Sequence, residues 1–224
     1  MRWPKNCSRL LTVGFLLFGI AGCFGKSTNE YIPPPDSERT ARSLSDIFKA
    51  ERPQAFYAEA YGAFRFSSQS LLTISKDGEN RTFQGSAAVE MDEKGNYHLA
   101  RIPMTGEATV EVIRLDQKAY LKAGGSSGFR VLRPAPEFDR WITVSLREAF
   151  SLFDQVNFGR SAASSTKGSL SCWTQEEDSL CVDPKTGLPM EGSIKTTQPS
   201  GAILSFRFNF APAKPGSIQL GPPS

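Results

Sequence analysis

Apolar residues recur at every second position in three long stretches of the chain, a period that belongs to half-buried β-strands. From Phe56 to Phe66 the even positions are Phe56, Ala58, Ala60, Gly62, Phe64 and Phe66, with Tyr57, Glu59, Tyr61 and Arg65 between them. Phe83, Gly85, Ala87, Val89 and Met91 repeat the pattern, with Gln84, Ser86 and Glu90 opposite, and Leu204, Phe206, Phe208 and Phe210 repeat it again. One face of each stretch is dry. Turn signals fall between such stretches, at Lys76-Asp77-Gly78, Asp92 to Asn96, Leu115 to Lys118, Ala123 to Gly128 and Asp183 to Gly187. Consecutive strands joined by short loops imply an antiparallel meander. The expected fold class is therefore mainly β (α+β): a single curved antiparallel sheet, a half-barrel of about nine to eleven strands, covered by two short helices.

The helices are read from a different period. Residues 43–51 carry Leu44, Ile47 and Phe48 on one face and stop before Pro53. Residues 145–153 open on Ser145-Leu-Arg-Glu148, the pattern of a capping box, and Ile142, Leu146, Ala149, Phe150 and Phe153 form an apolar stripe. Trp141, just ahead of that expected start, either staples the helix to the sheet or stands at a cavity mouth.

The N-terminal region has another character. Basic Arg2, Lys5 and Arg9 precede an apolar run from Leu10 to Ile20 and small residues at Ala21 and Gly22, the three regions of a secretory signal. A run of that length is too short to cross roughly 30 Å of hydrocarbon as a helix. Ile20-Ala21-Gly22-Cys23 resembles the bacterial lipobox. The resemblance implies that residues 1–22 are a cleaved signal peptide and that Cys23 becomes a diacylglyceryl cysteine bearing a further amide-linked acyl chain such as palmitate, anchoring a lipoprotein in the cell envelope. Phe24, in place of an aspartate, points to the outer membrane, facing the periplasm. Residues 23–42 are polar and proline-rich, a spacer without the apolar content to order itself. Residues 43–210 form the domain, and 211–224 a loose Pro/Gly-rich tail.

Removing the leader takes away three basic and no acidic residues, leaving 23 of each sign, so the net charge of +3 belongs to the leader. No basic patch suited to phosphates remains, and nucleic acid is not an expected partner. The membrane, through the anchor, is expected to be one, and a lipid or another lipoprotein a second. Of four cysteines, Cys7 and Cys23 lie in or at the leader. Cys172 and Cys181 flank an acidic polar stretch whose length lets a hairpin bring the sulfurs together as a disulfide, in keeping with export.

The order of elements, with Val182-Asp-Pro-Lys-Thr-Gly-Leu-Pro189 leading into a strand, resembles the half-barrel of the Lol-type periplasmic lipoprotein carrier and outer-membrane lipoprotein receptor, also seen in mycobacterial surface lipoproteins. That resemblance implies a curved sheet enclosing an apolar cavity for acyl chains. No family ligand residue is carried over. From the residues alone, Phe56, Phe64, Phe66, Trp141, Phe150, Phe153, Phe206 and Phe208 are the inward aromatic positions, as plain core or as lipid-contacting walls. A core filled with side chains goes instead with a module that docks other envelope proteins.

Catalytic apparatus is not visible. The sole histidine, His98, excludes a two-histidine site and reads as a solvent-facing strand residue. Gly124 to Gly128 spells Gly-x-Ser-x-Gly and Ser164 to Lys167 spells Ser-x-x-Lys, but no serine is read as a nucleophile activated by a neighbouring base. No glycine-rich loop opens a helix to cradle phosphates, and Gly124 to Gly128 reads as a hairpin loop. Glu176-Glu177-Asp178 reads as a solvated hairpin tip rather than a cation site. Neither cofactor nor metal is expected, and an enzyme is not.

Overall fold

The structure, a computed structural model, describes residues 44–76, 78–104, 108–133, 136–153 and 163–223. The expected signal peptide, Cys23 and the spacer lie outside these residues. The chain forms α1 (Leu44–Lys49), α2 (Pro53–Tyr61), β1 (Phe64–Lys76), β2 (Glu79–Met91), β3 (Tyr97–Ile102), β4 (Val110–Arg114), β5 (Ala119–Ala123), β6 (Arg130–Leu132), α3 (Pro136–Phe153), β7 (Ala163–Lys167), β8 (Leu170–Gln175), β9 (Asp178–Val182), β10 (Pro189–Thr197) and β11 (Ile203–Pro212). All eleven strands belong to one open antiparallel sheet ordered β6-β5-β4-β3-β2-β1-β11-β10-β9-β8-β7. Two meanders thus run outward from a central seam where β1 pairs with β11, Phe66 opposite Phe210. The curved, mainly β architecture expected from the alternation is the one observed.

The concave face carries the core. Phe64 and Phe66 on β1, Val89 and Met91 on β2, Leu99 on β3, Val112 on β4 and Phe206, Phe208 and Phe210 on β11 are all buried there. They meet Ile142, Leu146, Ala149, Phe150 and Phe153 of α3 and Tyr57 of α2 in one cluster. The apolar stripe of the second expected helix thus faces the sheet.

Two local expectations fail. The strand expected at 56–66 begins only at Phe64, because residues 53–61 are helical. Pro53 at the helix start supplies a φ already suited to a first turn, and alanines at 55, 58 and 60 favour helix. Gly62, at φ 72°, ends the helix in a conformation that costs glycine little. Tyr57, expected on the polar face, is consequently fully buried, whereas Phe56 is half-buried. The second failure concerns α3, which begins at Pro136 rather than Ser145. Ser145 caps nothing: its Oγ donates to the carbonyl of Trp141, one turn back within the helix, at 2.9 Å. Trp141 therefore lies inside α3, half-buried against the core.

After β11, the segment that composition reads as loose lies against the domain. The Ala213 amide donates to the Ala63 carbonyl at 3.0 Å, and Ile218 is buried. Among the described residues no helix is long and apolar enough to cross a membrane.

Candidate functional site

The eight aromatic residues singled out from the sequence converge on the concave face. Phe64, Phe66, Phe150, Phe153, Phe206 and Phe208 are buried in one cluster, with Phe56 and Trp141 packed against it. Their rings touch one another. Phe153 meets Phe208 edge-on at 5.1 Å between centroids, Phe150 meets Phe208 at 5.6 Å, and Phe66 meets Phe210 at 4.7 Å. Tyr57 stacks on Phe210 at 3.7 Å with the planes 3° apart. Gly192 on β10 shows how little room is left. A Cβ there would lie 2.6 Å from the Phe208 ring and 2.7 Å from that of Phe153. Interiors at this density behave as solid, and inserted methylenes are resisted.

Sequence reading missed Tyr57 and Tyr61, both placed on a polar strand face. The buried Tyr57 hydroxyl donates to the Pro189 carbonyl at 2.6 Å. Tyr61 donates to Asp183 Oδ2 at 2.6 Å and lies 3.0 Å from Thr186 Oγ1. These bonds tie α2 to the Asp183–Gly187 turn, the motif of the family resemblance, whose Asp183 also accepts from the Lys185 amide at 2.9 Å. Burial pushes the ionisation of Tyr57 well above the ordinary tyrosine value, and burial followed by the Asp183 hydrogen bond does the same for Tyr61. Tyr97, at the other flank of the core, is raised by burial and by the Asp139 carboxylate. A helical period of three and four, Gln54, Tyr57, Ala58 and Tyr61, was the signal that would have revealed the first two.

Beyond the rings the same face changes character. β1 and β2 are each 13 residues long and outrun the strands beside them. On this extension the positions in register with the core are Leu72, Ile74, Phe83 and Leu204; Leu72 is opposite Phe83 on one side and Leu204 on the other. Phe83 is 41% and Ile74 37% exposed, while Leu72 and Leu204 are half-buried. Closer to the core, the backbone of Met104 passes within 3.0 Å of where a Gly85 Cβ would stand, so glycine allows this segment to cross the concave face. Arg101, 8% exposed in its side chain, bonds Glu148 of α3 at 2.6 Å between the two zones.

On the convex face, His98 lies in an open groove of about 430 Å³ lined by Arg65, Ser67, Ala88, Glu90, Ala100 and Asn209, among others. Its Nε2 is 3.0 Å from Glu111 Oε1, and Arg65 bonds Glu90 at 2.7 Å. A histidine, a carboxylate and a hydroxyl thus share one groove. Ser67 and His98 belong to strands separated by β2, however, which places them about 10 Å apart, outside hydrogen-bond reach.

Cys172 and Cys181 form a disulfide between paired positions of β8 and β9. The acidic run beyond it forms the hairpin tip, where Glu177 pairs with Lys195 at 2.7 Å and Asp178 accepts from the Lys195 amide. Burial, followed by the neighbouring glutamates, raises the pKa of Asp178, against the lowering effect of that amide.

An open, curved antiparallel sheet wrapped on one long helix is the class this geometry defines. No known sequence family matches the chain, and no curated protein matches it. Among solved structures, the chain is similar to a DUF1329 family protein from Desulfovibrio piger, with 6% identity over 75% of this chain and 91% of that one and a TM-score of 0.23. It is also similar to the ywiB protein from Bacillus subtilis, with 10% identity over 71% of this chain and 99% of that one and a TM-score of 0.20. Likenesses at this level carry no functional argument.

Proposed function

We propose that this chain is a non-catalytic bacterial envelope lipoprotein, anchored through Cys23 in the outer membrane facing the periplasm, that holds an acyl chain on the open end of its concave face. One observation carries the ligand reading: Leu72, Ile74, Phe83 and Leu204 form a partly exposed apolar strip continuous with the core. Each exposed aliphatic or aromatic side chain gains about 1.5–3 kcal/mol on full burial, and an acyl chain is long, flexible and apolar enough to cover several at once. The ring-filled half supplies a rigid floor rather than the binding space. In this reading the aromatic residues are core and the acyl contact lies beyond them.

The density around Gly192 supports the competing reading, an envelope docking module with a solid interior, for the helix-covered half. Native mass spectrometry with lipid extraction separates the two. Residues 24–224, exported behind a leader that is not lipidated, are expected to carry near-stoichiometric acyl lipid. A clean apo mass that resists added lipid contradicts the carrier reading. Anchoring has its own test: the full chain should incorporate labelled palmitate, and Cys23→Ser should abolish that incorporation and release the protein from membranes.

A further inference from the structure

The strand register brings together three side chains that are unremarkable in sequence. Cys181 on β9 lies opposite Cys172 on β8 and, on its other side, opposite Glu191 on β10. One sulfur from each cysteine and one carboxylate oxygen lie within 4.8 Å of one another. Both cysteines are 5% exposed. Lys167 on β7 bonds Glu191 at 2.6 Å, beside the sulfurs.

We propose that reduction of this disulfide creates a binding site for a thiophilic divalent cation such as Zn²⁺, with Cys172, Cys181 and Glu191 as ligands and water in the fourth position. The S–S bond accepts two electrons and two protons from a dithiol reductant, which is itself oxidised to a disulfide; the cation then displaces the two thiol protons. Tetrahedral zinc with Zn–S near 2.3 Å and Zn–O near 2.1 Å requires ligand atoms about 3.5–3.8 Å apart. The three atoms lie within 4.8 Å of one another, and the bonded sulfurs move apart on reduction to reach that spacing. β8 is held by β7 and β9 by β10 in the same ladder, so rotation about the cysteine side chains is the motion left to part the sulfurs. Charge favours occupancy as well. Two thiolates and a carboxylate against Lys167 leave an excess of two negative charges, which one divalent cation neutralises.

The sequence offered no sign of this, since neither Cys-x-x-Cys spacing nor a nearby histidine is present. The third ligand enters only through sheet pairing.

The test is a cobalt(II) and zinc titration of the full chain in detergent, with and without reductant. The reduced protein is expected to bind one equivalent of Co²⁺ and to show thiolate-to-metal charge-transfer absorption, which Zn²⁺ then displaces. The oxidised protein and Cys172→Ser/Cys181→Ser should show none. Losing even an outer partner of a metal ligand weakens binding about 10- to 100-fold, so Glu191→Gln should weaken it by about tenfold or more. No charge-transfer band in the reduced protein, or a Glu191→Gln titration that overlays the parent, overturns the proposal. Should reduction melt the domain, zinc must restore its circular dichroism in the parent and not in the double serine variant; failure to do so is equally decisive against it.

Discussion

The two halves of the concave face share strands and period but not fate. Phe64, Phe150, Phe208 and Phe210 each meet other rings of the sheet, α2 or α3. A few residues along the same strands, Leu72 and Leu204 are half-buried and Phe83 is 41% exposed, although the chemistry of the side chains is similar. The difference is coverage. Three helices span the first zone, and among the described residues nothing comparable spans the second. Burial in a curved sheet is thus decided by what crosses the concave side rather than by the alternation within each strand.

Substitutions should resolve the halves by size of effect. Phe210→Ala removes a ring that stacks on Tyr57 and tilts against Phe64 and Phe66, and should cost about 3–5 kcal/mol in urea unfolding. A loss below about 1 kcal/mol would mean the rings are loosely held. Gly192→Ala places a methyl against two rings and should cost about 1–3 kcal/mol, whereas a neutral result would reveal slack beneath α3.

Alkaline pH probes the same half. Tyr57 and Tyr97 ionise above the ordinary value of 10.0, so the folded state binds more protons than the unfolded state once pH exceeds that value. Their contribution is fully present below pH 10 and falls as pH climbs toward the raised folded-state values. Tyr57→Phe should flatten that decline in a stability-against-pH series, while giving up the bond to Pro189; an unchanged slope would show that Tyr57 is not the group responsible. The smallest effect belongs to the open half: Phe83→Gln should change stability by less than about 1 kcal/mol, since its main neighbour is a cross-strand leucine. A large loss there would show that the second zone is covered too.

Much of this architecture was legible in the sequence, because alternation and turn chemistry are local properties. The strands over Phe83–Met91 and Leu204–Phe210, and the apolar stripe of α3, follow directly from their periods, whereas β1 was read only at Phe64 and Phe66. Residues 53–61 were misread because Phe56, Ala58 and Ala60 happen to alternate while Tyr57 and Tyr61 also satisfy a helical period; Pro53 and the alanines decided between them. Ser145 misled because a capping box has the same spelling in mid-helix, where the hydroxyl turns back on Trp141. The aromatic residues were gathered correctly, but no sequence property shows how densely rings from separate elements pack. Nor does any show that Glu191 stands beside a cysteine pair.

A photoreactive fatty acid tests the division of the concave face most directly. After irradiation with residues 24–224 and mapping of the adducts by mass spectrometry, the account places label on Leu72, Ile74, Phe83 or Leu204. Adducts concentrated on Phe64, Phe150 or Phe208 would contradict it.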